Sequence, residues 1–327
     1  VLKNNNFAQN LDKWILESTN IPHPALEALF TIDEETGMTG AENLKAGVLD
    51  GDILMNLDSE DEGELYIGCA GGIDTNGEFE YTSEDVPEGM IAYKISVKGL
   101  KGGHSGLDIN LGRGNANKIM NILLLKGGEK YGLRLADIQG GSLRNAIPRE
   151  SFSVVVVPEA SKKDFELFVE EFEAIVQDEF ADADAGVVVV AEATEMPAKV
   201  IDEKTTKNLY AAVAGCPNGV IKMSESVKGI TETSTNLAIV KSCDGKIELA
   251  SLQRSLIDDD KDNLGAEIRK VFEAVGEKYD IVHIDAHPDD AKFQSKKSKN
   301  LNLKNATLLI KGSRGMALER ILNLFWF

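Results

Sequence analysis

Two short apolar runs near the start of the chain, each closed by a cluster of acids and joined by a brief helical pattern, constrain the fold more than any other feature. Residues 25–32 read Ala-Leu-Glu-Ala-Leu-Phe-Thr-Ile and end in Asp33-Glu34-Glu35, and residues 53–57 read Ile-Leu-Met-Asn-Leu and run into Asp58-Ser-Glu-Asp-Glu62. Between them, residues 39–45 carry a short helical pattern that Gly47 stops. A crossover of this length joins parallel strands, nearly always with a right-handed turn, so both runs are expected as strands of one buried sheet. Their carboxyl ends then share an edge, and the acids of both runs converge there.

Such a cluster needs neutralising. Two carboxylates about 4 Å apart repel by roughly 4 kcal/mol at an effective dielectric near 20, which solvent, protonation or a bound cation relieves. Open α/β sheets bind their ligands at this edge. The chemistry that fits is a metal site with a spare carboxylate as general base, because a divalent ion lowers the pKa of its bound water and a nearby Glu takes the proton. A solvated acidic loop is the plainer alternative.

From about residue 91 the pattern changes. Strands are expected at 93–97, 133–138, 152–157, 186–190, 237–241 and 247–251, with helices near 115–125, 162–176, 203–214 and 260–275. This is an α+β layout, and residues 83–89, with Pro87 and three acids, read as a hinge between it and the first region. A chain of 327 residues accommodates two such domains, each with its own core. Acids outnumber bases 54 to 35, a net charge of −19 that argues against nucleic acid or an anionic membrane surface as a partner. Cys69, Cys216 and Cys243 lie far apart without CxxC spacing, which indicates neither a disulfide framework nor a cysteine zinc site. The longest apolar runs, 154–157 and 187–191, fall far short of the ~20 residues of a spanning helix. Residues 2–18 lack the basic flank and apolar block of a signal peptide, so a cytoplasmic protein without a membrane partner is expected.

Five phrases carry a resemblance. They are Phe30-Thr-Ile-Asp-Glu-Glu-Thr-Gly-Met-Thr-Gly-Ala-Glu-Asn-Leu44, Leu57-Asp-Ser-Glu-Asp-Glu-Gly63, Gly102-Gly-His-Ser-Gly-Leu-Asp-Ile109, Arg144-Asn-Ala-Ile-Pro-Arg149 and Glu232-Thr-Ser-Thr-Asn-Leu-Ala238. In this order they resemble the aminoacyl-histidine dipeptidases (cytosolic Xaa-His dipeptidase, peptidase D) from about Pro22 to about Asp280. The resemblance implies a di-zinc hydrolase of the glutamate-carboxypeptidase-like superfamily, with two Zn2+ per site, a dipeptide substrate and a homodimer formed through a lid domain. The fold class it implies is α/β: the remnant of a zinc-peptidase catalytic sheet at 21–72 and a larger α+β lid and dimerisation domain at 73–282. Residues 1–20 and 283–327 lie outside the match. Carried over by position, Glu34 matches the general base, Glu35 a ligand to one zinc and Asp58 a ligand to the other. His104 matches the lid histidine that stabilises the oxyanion of the tetrahedral intermediate. Arg254, in Ser251-Leu-Gln-Arg-Ser255, matches the arginine that grips the free carboxylate of the substrate, and Asn236 is expected beside the substrate backbone.

The chain also departs from the family. The early His-x-Asp histidine, the bridging aspartate and the late histidine of the family's zinc site have no counterpart. A catalytic zinc takes three protein ligands and a water, so weak metal binding and little or no peptidase activity are expected of this chain alone. His283-Ile-Asp-Ala-His287 would set His283, Asp285 and His287 on one face of an extended segment. His287-Pro-Asp-Asp290 looks like the opening metal motif of zinc-dependent N-acetylglucosaminyl deacetylases, and residues 309–322 resemble the C-terminal end of the D-alanyl-D-alanine-adding Mur ligases, without a nucleotide-binding loop. The resulting reading is a zinc-dependent dipeptidase that hydrolyses Xaa-His-type dipeptides through a Glu34-activated, metal-bound water. The alternatives are a non-catalytic lid and dimerisation module, or a cation-binding remnant without hydrolase activity.

Overall fold

The computed structural model describes residues 25–32, 39–56, 70–225, 227–275, 278–282 and 307–311. The chain divides into two compact units, Val1–Gly68 with Lys292–Phe327, and Cys69–Ala291.

In the first unit the apolar runs form β1 (Ala25–Ala28) and β2 (Ile53–Asn56), with α1 (Thr39–Glu42) between them. They belong to one parallel sheet, as a crossover of this length requires, but they are not neighbours. A strand from the far end of the chain, Thr307–Lys311, pairs in parallel with both and occupies the slot between them. The tail segment with the ligase-like phrase thus begins inside this sheet. Local pattern carries no information about such a pairing, because strand partners are chosen by tertiary packing.

The second unit is built on a nine-stranded sheet in which every neighbouring pair is antiparallel. Its elements in chain order are β3 (Gly71–Glu80), β4 (Ser83–Asp85), β5 (Met90–Lys98), β6 (Gly103–His104), α2 (Ala116–Tyr131), β7 (Arg134–Gly140), β8 (Ala146–Ile147) and β9 (Ser151–Pro158). There follow α3 (Lys162–Glu179), β10 (Val188–Ala193), β11 (Lys199–Ile201), α4 (Glu203–Gly215), β12 (Gly219–Met223), β13 (Thr231–Cys243), β14 (Lys246–Ser255), α5 (Asp258–Val275) and β15 (Lys278–Val282). The strand order is β10-β5-β9-β7-β13-β14-β3-β15, with β12 paired to β13; β4 pairs with β11 and β6 with β8 outside this sheet. The strand Thr307–Lys311 is β16.

The helices begin and end where their caps dictate. The Asn115 side chain accepts from the amides of Asn117 and Lys118 at the start of α2, and Gly132 closes it in the left-handed conformation at φ 69°. Asp202 caps α4 through the Thr205 amide at 2.8 Å. Helix α3 buries Phe165, Phe168, Val169, Phe172 and Val176, a single stripe at helical spacing, against Tyr93 and Tyr131. In β9 the alternation fails, and Val155, Val156 and Val157 are all fully buried. The helices cover one face, while Val156 joins Ala92 and Val200 in a second small core on the other.

Two sequence expectations are corrected. Residues 83–89 are no hinge between units: Ser83–Asp85 is a strand held by β11, and Asp202 accepts from the Thr82 amide at 3.0 Å. Acids and a proline resemble a linker locally, and only the long-range pairing shows otherwise. The strand β3 was not expected, because apolar alternation is missing from Gly71-Gly-Ile-Asp-Thr-Asn-Gly-Glu-Phe-Glu80. Its inner face is satisfied by hydrogen bonds instead. Thr75 Oγ1 donates to Gln253 Oε1 at 2.7 Å and Gln253 Nε2 donates to Ser251 Oγ at 2.8 Å, all three residues being buried.

Candidate functional site

The sequence-derived site residues fall into two groups. Glu34, Glu35 and Asp58 lie outside the described residues, as do His283, Asp285 and His287. What is described beside the first three is the sheet: β1 and β2 run parallel to the same central strand, so their carboxyl ends share one edge. Among the described residues, no group of three or more His, Cys, Asp or Glu side chains is placed to hold a metal ion.

His104, Asn236 and Arg254 belong to the second unit, and the sheet brings them to one place. Asn236 on β13 pairs with Leu252 on β14, which pairs with Asp74 on β3; Ser234, Arg254 and Gly72 make the neighbouring row. Directly paired residues project to the same face and successive residues alternate. Asp74, Asn236, Ser234 and Arg254 therefore share the face opposite Ile73 and Gln253, which border α5 at Gly265. The two-stranded ladder of β6 and β8 carries His104, which pairs with Ala146. Asn236 Nδ2 donates to the carbonyls of Ala146 at 2.8 Å and Arg144 at 3.3 Å, fastening this ladder to β13.

The loop around His104 depends on glycine. Gly103 sits at φ 136°, and a Cβ there would lie 2.2 Å from Arg113 Nη1 and 2.4 Å from Asp108 Oδ2. The His104 amide donates to Asp108 Oδ2 at 2.8 Å, and the imidazole Nδ1 accepts from the amides of Gly106 and Leu107 at 3.2 Å each. With Nδ1 occupied as an acceptor, the hydrogen-bond pattern assigns the proton of the neutral ring to Nε2. Burial lowers the pKa of His104 below the ordinary value, the Arg254 charge lowers it further, and Asp108 opposes both. Gly106 lies against both side chains: a Cβ on it would be 3.1 Å from His104 Cε1 and 3.4 Å from Arg254 Nε. The result is an imidazole whose neutral form is favoured, lying across Gly106 from the Arg254 side chain.

Several residues at this site carry no local signal. Asp184, fully buried, accepts from the amides of Lys101 and Gly114 at 2.7 Å each and so ties the chain entering His104 to the turn entering α2. Asp74, also buried, pairs with Arg144 at 2.8 Å. Arg144 opens one of the phrases that carry the resemblance, and that phrase was the available pointer to it.

Residues 91–184 match the M20 family described as the peptidase dimerisation domain. The chain is 39% identical over 264 residues to the curated cytosol non-specific dipeptidase of Escherichia coli (strain K12), covering 81% of this chain and 54% of that protein. It is 41% identical to the crystal structure of aminoacylhistidine dipeptidase from Vibrio alginolyticus, with a TM-score of 0.70, covering 82% of this chain and 55% of that one. The chain thus spans about half the length of these relatives. No helix among the described residues is long and apolar enough to cross a membrane. The dimerisation-domain match lies within the antiparallel unit, and most of the sequence is similar to about half the length of two dipeptidases; residues 91–184 carry the M20 peptidase dimerisation domain.

Proposed function

We propose that the chain is part of a metal-dependent M20 dipeptidase that hydrolyses Xaa-His-type dipeptides in the cytoplasm, with a catalytic segment at 21–72 and a lid at 73–282 that forms a homodimer. The observation that supports this best is the placement of the His104 ring and the Arg254 Nε against the same glycine, Gly106. Arg254 grips the terminal carboxylate of the dipeptide, for which a planar bidentate donor is suited. His104 donates from Nε2 to the carbonyl oxygen that gains charge as the amide is attacked, a preorganised interaction worth about 3–4 kcal/mol in comparable sites. Asn236 holds the β8 segment that pairs with His104. Glu34 takes the proton of the attacking water.

Glu35 and Asp58 are the residues that would hold zinc, which when bound supplies Lewis-acid polarisation of the scissile carbonyl. Two carboxylates suit zinc but do not complete a catalytic site, which takes three protein ligands. The names of the two relatives, a non-specific dipeptidase and an aminoacylhistidine dipeptidase, agree on dipeptides as the substrate class.

The test is zinc content after dialysis against trace zinc, with Xaa-His hydrolysis assayed on the same sample and on Glu34→Gln. Turnover that Glu34→Gln abolishes while bound zinc is retained supports the proposal; equal turnover in both proteins refutes it. A second reading is favoured by the match of residues 91–184 to the peptidase dimerisation domain: a lid and dimerisation module that does not itself catalyse. That reading expects self-association with neither zinc nor turnover, and activity only on mixing with a chain that supplies the other ligands.

A further inference from the structure

We infer that Asp74 and Arg144 are positioning residues for the site at His104 and Arg254: the buried carboxylate holds the arginine, and through it the segment whose backbone carries His104. The inference rests on the reading of that site as the place where the dipeptide is held.

Asp74 lies within β3 and is 2% exposed. A carboxylate buried in a strand is costly unless it is paired. Its Oδ2 meets Arg144 Nη1 at 2.8 Å, while Oδ1 has no hydrogen-bond partner among the described residues. An apolar side chain would serve β3 at least as well for stability, so the charge is retained where it fixes something else. What it fixes follows from the register. The carbonyl of Arg144 is held by Asn236 on β13, and its guanidinium by Asp74 on β3. These strands flank β14, so the side chain crosses β14 at the level of Leu252, over two strand spacings or about 9.5 Å. Arg254 is the next residue along β14 on the same face.

The Arg144–Ala146 segment is therefore gripped from both sides of the strand that supplies Arg254. In turn it holds the histidine: Ala146 pairs with His104, and the Ser105 amide donates to the Asn145 carbonyl at 2.7 Å. Without the ion pair, the Asn236 bonds are what remains among the described residues to fasten this segment to the three-strand face. The β6–β8 ladder then shifts, and the imidazole leaves the neighbourhood of Arg254. The groups that set the His104 charge state are Arg254 from β14 and Asp108 from its own loop.

The experiment is an NMR titration of the His104 imidazole in the full chain, wild type against Asp74→Ala, with thermal unfolding and Gly-His binding on the same samples. The two effects of the variant have opposite signs. Removing a negative charge and leaving Arg144 alone depresses the imidazole pKa by Coulomb interaction; release from Arg254 into water raises it toward the ordinary value of about 6.5. An upward shift, with faster amide exchange at Gly106 and Leu107, supports positioning. A downward or absent shift in a folded variant overturns it, even if the melting temperature falls. If Asp74→Ala does not fold, the double variant Asp74→Leu/Arg144→Met removes both charges and buries none unpaired; the same upward shift is required of it. Gly-His that binds wild type and Arg254→Ala equally refutes the dipeptide reading of the site, and the titration still decides the positioning role.

Discussion

Replacing Asp184 by alanine should cost the second unit about 3–5 kcal/mol. The carboxylate is fully buried and accepts two 2.7 Å bonds from the Lys101 and Gly114 amides. Hydrogen bonds to a charged group contribute about 1.5–3 kcal/mol each, and in the variant the buried Gly114 amide is left without an acceptor while water reaches the more exposed Lys101. For a unit of this size each kcal/mol corresponds to about 2–4 °C, so the melting temperature should fall by roughly 6–20 °C. Urea unfolding followed by circular dichroism measures the loss, and an unchanged slope against denaturant shows that it is a change in stability rather than in compactness. Hydrogen exchange at the Lys101 and Gly114 amides localises it. Asp184→Asn keeps one acceptor and turns a donor toward the other amide, so it should recover only part of the loss. A loss below about 1 kcal/mol in Asp184→Ala, with both amides still protected, would refute the argument that this side chain joins the two turns.

Gly77→Ala would place a Cβ 2.8 Å from the Phe272 ring, which is fully buried on α5, and should destabilise by about 1–3 kcal/mol in thermal unfolding, with Phe272→Leu restoring part of it. The native state favours neutral His104, so below the unfolded imidazole value of about 6.5 the unfolded chain binds more protons. Its contribution is complete above that pH and is lost as pH falls through the lowered native value. Wild type should therefore lose stability relative to His104→Gln as pH falls below about 6.5; parallel curves would contradict this. Cys216 is fully buried and burial pushes its thiol up to about 11, so a thiol reagent at pH 8 should label exposed Cys243 in the native protein and Cys216 only on unfolding. Arg254→Lys should weaken Gly-His binding about 10-fold or more by calorimetry, because an ammonium does not reproduce the bidentate fork.

The helices of the second unit were legible because each writes its own periodicity: the Phe165, Phe168, Phe172, Val176 stripe is visible before any partner is known. Six of the thirteen strands of the second unit were legible for the same reason, and the two acid-closed runs do share a parallel sheet. His104 and Arg254 could be singled out because their phrases resemble a family, yet they lie about 150 positions apart and nothing local says that Gly106 touches both.

What the sequence alone determined is whatever depends on neighbours along the chain: helix stripes, caps such as Asn115 and Asp202, the glycine turn before His104, and the placing of acids directly after apolar runs. Tertiary structure decided the rest. It inserted β16 between β1 and β2, made a strand of the polar segment at 71–80 by hydrogen-bonding Thr75 to Gln253, and set Asp74 beneath Arg144. These outcomes rest on pairings between distant segments, where register selects which side chains share a face. A buried polar group is stable only with the partner that the register supplies, and no short stretch of sequence names that partner.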